Sequence, residues 1–505
     1  MKHLSIFLRS VVCLVFCWLT LSPLAAQQSP ATDKNITSKV ETELTWQMNV
    51  PADDIDVQTN EGIVMLEGRV DNLLAKERAA NVAGAIRNVR GVVNEISVMP
   101  PYVPNDKLVA DITQALLVDP ATDSYEILVK ANMGDVTLSG TVESWTEKNL
   151  SEYVAKSVRG VKSIKNDIDV RSVADRPDNE IKMDIEQAIS NDIRLYPRTV
   201  NVNVRNGYVT LSGTVGSWND LLLARNHSWV AGVANVDSKL LTIDAWADNS
   251  NLRNKRFVMR TDKEIRSAVN DALLYDPRVL SFKPDISVDE GVVTLSGTVS
   301  SLSAKRAAGS DAQNVVGVVL VKNNLKVRPA NVPADSTLRT RVDDALHRSA
   351  EVDHLAVNVA ARNGKIYLNG LVDNYFELYR AEAIAANVKG VKEVVNNIGV
   401  TYSKDYGFYY PNGIFDHYYP SPFTRPGSYY SYPLSDAQIK ENIEDELWWS
   451  PFVNESDVTV TVLGKVATLT GSIDSWRERN AAIENAYEGG AYSVIDKMFI
   501  DYGTN

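Results

Sequence analysis

A short strand that ends in a glycine occurs six times along the chain, and this repetition constrains the fold more than any other feature. The first three copies read GIVMLEGRV, GDVTLSGTV and GYVTLSGTV, and they begin at positions 62, 134 and 207. The other three read GVVTLSGTV, GKIYLNGLV and GKVATLTGSI, and they begin at 291, 364 and 464. The second glycines of the copies are Gly68, Gly140, Gly213, Gly297, Gly370 and Gly471. We expect six similar modules in which these glycines have structural roles.

The residues around each copy predict a β-hairpin followed by a helix. An alternating segment such as 200–204 precedes the motif, and Asn206-Gly207 supplies the positive φ angles of a tight turn. A helix-capping residue stands four positions after each second glycine: Asn72, Ser144, Ser217, Ser301, Asn374 and Ser475. Glu147 and Glu478 would complete capping boxes with Ser144 and Ser475. A large residue suited to the core, such as Trp145, follows the cap.

A glycine is expected to end this helix in a left-handed conformation in five copies, at Gly91, Gly160, Gly232, Gly317 and Gly390. A third apolar strand follows, and another helix precedes each hairpin. The order is therefore α-β-β-α-β. The fold class is α+β, a tandem repeat in which each module is a three-stranded mixed sheet with two helices on one face. The opposite sheet face would be open, and neighbouring modules are one way to cover it.

The sixth copy departs from this pattern. Its two hairpin glycines, Gly464 and Gly471, are seven positions apart instead of six, and its helix ends in the sequence YEGGA at 487–491. The extra position suggests a β-bulge.

The set of motifs resembles the BON (bacterial OsmY and nodulation) domain. The order of elements, the V-x-L-x-G-x-V hairpin and the V-x-G-V helix end carry this resemblance over nearly all of residues 34–501. The modules would span 34–100, 104–172, 178–245, 261–328, 335–401 and, for the divergent copy, 434–501. The resemblance implies roles in osmotic or envelope stress, envelope integrity and attachment to phospholipid. No motif marks the family's lipid-contact residues in this chain.

Residues 1–26 read as a secretory signal peptide. Lys2 and Arg9 precede an apolar run at 11–21 and small residues before a cut after Ala26, and the alternative is an N-terminal membrane anchor. The two cysteines, Cys13 and Cys17, lie inside this segment without the small preceding residue of a lipoprotein signal. We expect a periplasmic protein that is not a lipoprotein, without disulfides or a transmembrane span in the mature chain.

Two linkers stand out by composition. The linker at 246–260 is basic, and its candidate contacts for lipid or another anion are Arg253, Lys255, Arg256 and Arg260. The linker at 402–433 holds nine tyrosines and five prolines. It would either dock onto another surface or wrap on its own neighbours. The net charge of −12 argues against binding to nucleic acid.

No catalytic or metal-binding set is recognisable. The histidines beyond the signal segment are His227, His347, His354 and His417. They have no neighbouring ligands at metal-binding spacing, and nucleophile-elbow, zinc-protease and P-loop patterns are missing. We expect no enzyme, no cofactor and no metal. An enzyme would need a pocket between modules that no motif reveals.

Three functions are compatible with these features. The first is a non-catalytic binding or scaffold protein of the cell envelope, with a protein, lipid or glycan partner. The second is attachment to anionic phospholipid around residues 246–328, because 261–328 has nine basic and eight acidic residues whereas 434–501 has five and thirteen. The third is self-assembly through sheet edges. The sequence leaves the oligomeric state open, and it favours the last module with its linker as the place for a specialised partner. Deleting 402–505 should leave a folded protein.

Overall fold

The six modules are present as separate hydrophobic cores in one chain. The computed structural model describes residues 32–46, 50–122, 127–171, 176–192, 194–247, 252, 260–276, 278–279, 284–372, 374–400 and 434–500. All of them belong to one compact unit, 31–505. The predicted signal segment, most of the basic linker and the whole Tyr/Pro-rich linker lie outside the described residues.

Each module contributes two helices, numbered here in chain order. Helices α1 to α6 are Asp33–Trp46, Leu73–Gly84, Asn105–Val118, Trp145–Lys156, Asp178–Asn191 and Trp218–His227. Helices α7 to α12 are Asp262–Tyr275, Leu302–Gln313, Asp335–Arg348, Tyr375–Ala386, Asp436–Trp449 and Trp476–Glu488. The predicted caps are in place, because the side chain at each of the six capping positions accepts a backbone N–H from the first turn of its helix.

The strands group by module in the same way. Modules 1 and 2 contain β1 to β7, which are Ile55–Asn60, Ile63–Val70, Gly91–Asn94, Ser97–Val98, Ile127–Asn132, Asp135–Val142 and Ser163–Val170. Modules 3 and 4 contain β8 to β15, which are Val200–Arg205, Tyr208–Val215, Asn235–Ile243, Asp285–Asp289, Val292–Ser296, Thr298–Val299, Leu320–Asn323 and Lys326–Val327. Modules 5 and 6 contain β16 to β21, which are Val357–Arg362, Lys365–Val372, Glu393–Val400, Val458–Leu463, Val466–Ile473 and Ser493–Ile500.

The second hairpin strand is the central strand of each module's three-stranded sheet, and in module 4 its end, β13, pairs separately with β15. The second strand pairs antiparallel with the first strand and parallel with the third, as β9 does with β8 and β10. The α+β class with repeated mixed sheets is therefore confirmed. In module 1 the third strand is interrupted between β3 and β4, where the Asn94 side chain accepts the N–H of Ile96 and donates to the carbonyl of Lys76. Both helices of a module cover one face of its sheet, and their apolar residues form its core, for example Leu108, Leu138 and Leu150 in module 2.

The helix-stop residue of module 1 was predicted wrongly. Gly91 is the first residue of β3, and the left-handed position is occupied by Asn88 with φ 68°. The sequence Ile86-Arg87-Asn88-Val89 therefore corresponds to Val158-Arg159-Gly160-Val161 of module 2. Asparagine tolerates this conformation better than most residues. Asn88 can therefore end the helix three positions before Gly91, and the turn is kept. In the other four copies the glycine has φ between 89° and 103°.

The sixth module has no bulge in its hairpin. Strands β19 and β20 pair without interruption from Val458 opposite Gly471 to Leu463 opposite Val466. The two turn residues are Gly464 with φ 58° and Lys465 with φ 64°. The glycine has moved to the first turn position, so the spacing of seven reflects the order of the two turn residues and not an insertion.

The capping-box assignments also need correction. Glu147 accepts the N–H of Glu143, and Glu478 accepts the N–H of Asp474, so both carboxylates reach the residue before the cap. Complete capping boxes occur instead at Thr261 and Ser435, each at the start of a module's first helix.

One recurrent contact was not predicted. The aspartate at the start of the first helix accepts both backbone N–H groups of the hairpin turn, as Asp436 does from Gly464 and Lys465 at 2.8 Å each. Five modules share this arrangement, through Asp33, Asp178, Asp262, Asp335 and Asp436. The carboxylate satisfies two N–H donors that the hairpin leaves open, and it ties helix to turn.

The modules contact one another in pairs through their helices and helix ends, and the first module of the chain pairs with the last. Module 1 meets module 6, since the Arg87 N–H donates to the Trp449 carbonyl at 3.1 Å. Module 2 meets module 5 through the Arg159 N–H and the Arg348 carbonyl at 2.8 Å. Module 3 meets module 4 through the Val316 N–H and the carbonyl of Asn191 at 3.0 Å.

The first three modules also contact each other. Lys156 of module 2 pairs with Glu77 of module 1 at 2.5 Å. The Trp145 indole of module 2 donates to the Val233 carbonyl of module 3 at 2.8 Å. Trp218 of module 3 lies so close to Gly84 of module 1 that a Cβ there would be 2.4 Å from its Cδ1. The large residue after the helix cap thus serves contacts between modules as well as the module core.

The outer sheet faces remain exposed among the described residues, so neighbouring modules do not cover the open face that the sequence left unassigned. Leu128 is 65% exposed, Tyr208 59%, Leu463 83% and Phe499 60%, and all four stand on the face opposite the helices or at its turn. The helices already bury each module's main apolar face, and the contacts between modules enlarge that same layer.

Candidate functional site: a polar cavity between modules 3 and 4

Of the four basic linker residues, the structure describes only Arg260. Its guanidinium donates to the Asn191 side chain at 2.6 Å and to the Ser190 carbonyl at 2.9 Å, and burial lowers its pKa. Arg260 thus joins the basic linker to module 3. Arg253, Lys255 and Arg256 lie outside the described residues.

Asn191 also borders a cavity of about 310 Å³ between modules 3 and 4. Helices α5 and α6 of module 3 and α7 and α8 of module 4 form its walls, and Thr146 of module 2 reaches its rim. Its polar lining contains five aspartates, two arginines and one histidine. A cavity of this size with converging polar groups is a usual place for a small ligand.

The first polar cluster belongs to module 3. Buried Asp192 accepts from Arg194 at 2.6 Å and lies 2.6 Å from Nε2 of His227. Burial opposes ionisation of Asp192, but Arg194 and His227 outweigh it and hold the pKa of this carboxyl well below its usual range. The charges of this cluster are therefore largely balanced within module 3.

The second cluster occupies the matching place in module 4. Arg278 pairs with Asp276, and Asp311 stands where module 3 has His227. Burial and the neighbouring Asp276 raise the pKa of Asp311 well above its usual range, whereas Arg278 lowers that of Asp276 despite burial. The raised pKa of Asp311 favours its neutral form, and Asp276 is paired with Arg278, so this cluster also has little net charge.

Two further aspartates line the cavity from the first helices of the modules. Asp184 on α5 accepts from Arg176 at 2.6 Å. Asp271 lies on α7, and its pKa is raised by burial and then by the negative charge of Asp184. Among the described residues, Asp271 forms no ion pair.

The other wall of the cavity is apolar. Buried Leu223, Val230 and Val315 contribute to it. The indole of Trp229 completes this wall, and its ring centre is 3.8 Å from that of Trp145 in module 2. The cavity therefore has one aliphatic and aromatic side and one acidic side.

The sequence held a signal for this site. An Asp-x-Arg sequence follows the first helix of modules 3 and 4, as Asp192-Ile193-Arg194 and Asp276-Pro277-Arg278. Module 2 has Asp119-Pro120-Ala121 in the same place. The fact that only two modules carry the arginine points to a shared interface, but the pairing of module 3 with module 4 is not readable from spacing.

The histidines do not form a metal centre in the part of the chain that the structure describes. The rings of His347 and His354 are 4.1 Å apart, and the pKa of His354 is lowered by burial and by His347. Across the described ranges, no three His, Cys, Asp or Glu side chains are placed to hold a metal ion. His417 lies outside the described residues. None of the described helices is both long and apolar enough to cross a membrane.

Comparison with known proteins identifies the modules. The BON domain model matches residues 32–100, 104–172, 177–244, 261–329, 334–402 and 435–498. The chain is similar to osmotically-inducible protein Y of Escherichia coli, with 34% identity over 27% of this chain and 71% of that protein. It is also similar to the outer membrane lipoprotein DolP of Haemophilus influenzae, with 34% identity over 21% of this chain and 56% of that protein.

One solved structure, the type III secretion protein CdsD of Chlamydia trachomatis, aligns with 41% of this chain and 91% of its own at 14% identity and a TM-score of 0.12. At that TM-score the match says nothing about the arrangement of the modules. The six family matches cover most of the chain and coincide with the six hydrophobic cores. The chain therefore belongs to the BON domain family and contains six copies of the domain.

Proposed function

We propose that this chain is a non-catalytic binding and scaffold protein of the bacterial cell envelope, acting in osmotic or envelope stress. The names of the two relatives, an osmotically-inducible protein and an outer membrane lipoprotein, support the setting. The observation that carries the proposal is the orientation of the modules. Their helices face one another while their outer sheet faces stay exposed.

Six outward faces on one chain suit a partner that is extended or repetitive. Each face can bind weakly, because a second contact made by the same chain is effectively intramolecular. The exposed apolar residues on these faces, such as Tyr208 and Phe499, are the type of residue that anchors an interface.

Site-specific photo-cross-linking in the native envelope tests this proposal. A photoreactive phenylalanine analogue replaces Tyr208 or Phe499 on outer sheet faces, and Met183 on helix α5 serves as the control because it is 65% exposed. We expect partner adducts from the two sheet positions and few from Met183. Equal labelling from all three would show that the sheet faces have no special role.

Attachment to anionic phospholipid is a second candidate. In module 4 three basic residues, Lys322, Lys326 and Arg328, are exposed along the third strand and its end. Vesicles of phosphatidylglycerol should retain the full chain more than vesicles of phosphatidylcholine. Replacing the three residues by alanine should abolish the difference, whereas Lys165→Ala in module 2 should not. Unchanged retention of the triple variant would remove this candidate.

Self-assembly is the third candidate, since each three-stranded sheet leaves its first and third strands at an edge. Light scattering over a wide concentration range distinguishes it. A molar mass that stays at one chain at high concentration would contradict it.

A further inference from the structure

The cavity between modules 3 and 4 is partly polar, and it lies beside the apolar cores of the two modules. Buried Asp192 is paired with Arg194 and lies against His227, Asp276 is paired with Arg278, and the raised pKa of Asp311 favours its neutral form. These clusters give the cavity a polar floor with little net charge of its own.

The first helices of the two modules, α5 and α7, each contribute one more aspartate to the cavity. Arg176 pairs with Asp184. Among the described residues, Asp271 has a hydrogen bond with neighbouring Asn270 and the repulsion of Asp184, and no cation beside it. In the part of the chain that the structure describes, Asp271 is therefore the carboxylate of this cavity without a positively charged partner. An anion would be repelled there, and an uncharged ligand would leave this carboxylate without a counter-charge.

The opposite wall of the cavity favours a ligand with an apolar part. Leu223, Val230 and Val315 offer aliphatic surface, and the Trp229 indole offers a ring against which an aromatic group or a cation can lie. A bare metal ion fits poorly, because no three ligating side chains in the described ranges converge.

We infer that this cavity binds a small organic amine, with its ammonium group at Asp271 and Asp184 and its aromatic or aliphatic body against Trp229 and the apolar wall. Binding relieves the repulsion between the two carboxylates and buries apolar surface on both partners. The inference is independent of which envelope partner the sheet faces bind.

Calorimetric titration of the full chain tests the inference with tryptamine as the probe. Tryptophol is the matched comparison, because it has the same indole ring and a hydroxyl in place of the amine. We expect tryptamine to bind at one site per chain and tryptophol to bind at least about tenfold more weakly.

Two variants distinguish the effect of the Asp271 charge from the effect of the cavity volume. Asp271→Asn should bring tryptamine down to the level of tryptophol, and Ala272→Leu should block both compounds by filling the cavity. Asp344→Asn is the matched control, because Asp344 occupies the corresponding helix position in module 5 and is exposed there. It should leave binding unchanged. Circular dichroism and the thermal midpoint report whether each variant is folded.

Three results would overturn the inference. They are no tryptamine binding by the unaltered chain, equal affinity for tryptamine and tryptophol, and equal loss in the Asp271→Asn and Asp344→Asn variants. If Asp271→Asn failed to fold, the tryptamine-to-tryptophol ratio and the Ala272→Leu variant would still decide.

Discussion

At the residue scale, the recurrent hairpin glycines differ in the steric contacts that a side chain at their position would make. A Cβ at Gly370 would lie 2.0 Å from the Ala356 carbonyl oxygen, in a residue with φ 145°. Gly297 has φ 109°, and among the described residues the nearest atom to its Cβ would be 3.8 Å away. The same motif position thus combines strain and collision in module 5, whereas in module 4 it shows strain and no collision with a described atom.

Alanine at these two glycines should therefore have unequal effects. Gly370→Ala should lower the free energy of unfolding by about 3 kcal/mol or more, since overpacking adds to backbone strain. Gly297→Ala should cost about 1–2 kcal/mol. Denaturant unfolding followed by circular dichroism measures both, and equal losses would contradict the assignment of the collision.

A second residue-scale prediction concerns the helix stop of module 1. Gly91 lies in a strand without positive φ, and the nearest side chain to an added Cβ is 3.9 Å away. Gly91→Ala should change the free energy of unfolding by less than about 0.5 kcal/mol. Gly160→Ala in module 2 should cost about 1–3 kcal/mol, because Gly160 has φ 95° and Val103 Cγ2 would be 2.6 Å from the new Cβ. A larger loss of stability in Gly91→Ala than in Gly160→Ala would support Gly91 as the helix-stop residue of module 1.

At the element scale, helices α1, α11 and α12 bring a lysine and three glutamates together between modules 1 and 6. Lys39 pairs with Glu43 at 2.9 Å and also with Glu446, and Glu488 is buried beside them. Burial, together with Glu43 and Asp445, raises the pKa of Glu446 to about 7 against the opposing effect of Lys39. Burial and the neighbouring glutamates, including Glu484, also raise the pKa of Glu488.

This cluster makes stability depend on pH in a defined direction. A carboxyl whose pKa is higher in the folded chain holds its proton more tightly there, so the free energy of unfolding falls as pH rises from about 4.5 to 7. Glu446 alone would account for a loss on the order of 2–3 kcal/mol. The thermal midpoint should fall over this range, and the slope should shrink in Glu446→Gln.

Glu441→Gln is the control for that experiment, because Glu441 is exposed on the same helix. Its pH slope should match that of the unaltered chain. An unchanged slope in Glu446→Gln would show that the cluster does not govern the pH dependence.

The elements themselves were largely predictable. The caps Ser217 and Asn374, the hairpin turn at Asn206-Gly207 and the parallel third strand all follow from local physics that acts within a few residues. Asn88 and Gly464 show where a motif misleads. Asparagine can replace a left-handed glycine, and a turn glycine can change places with its neighbour while the register is kept.

The site was less predictable, because it arises between modules. Asp271 and Trp229 are distant in sequence and come from different modules, and neither belongs to the repeated motif. Nothing in the alternation of one strand or the apolar face of one helix specifies which module lies beside which.

At the scale of the whole molecule, module 6 contributes one buried residue to the core of module 1 and keeps a hydrophobic core of its own. Trp449 is buried among the apolar residues of module 1, and the Arg87 guanidinium donates to three acceptors in module 6, including the Ser450 carbonyl at 3.1 Å. The last module is thus integrated in the structure, although its sequence is the most divergent.

Removal of residues 402–505 should therefore leave five folded modules with an exposed helix face on module 1. We expect a lower thermal midpoint for the shortened chain and a tendency to self-associate through that face. Differential scanning calorimetry and light scattering check these expectations. A shortened chain with the full-length midpoint would mean that modules 1 and 6 do not support each other.

The modules meet through their helices and keep their outer sheet faces free. Hydroxyl-radical footprinting of the full chain measures this arrangement, since the oxidation rate of a side chain follows its exposure. Tyr208 and Phe499, on outer sheet faces, should be oxidised rapidly. Trp449 and Phe376, which are 7% and 3% exposed where modules meet, should be protected. Protection of Tyr208 and Phe499 together with rapid oxidation of Trp449 and Phe376 would contradict the account.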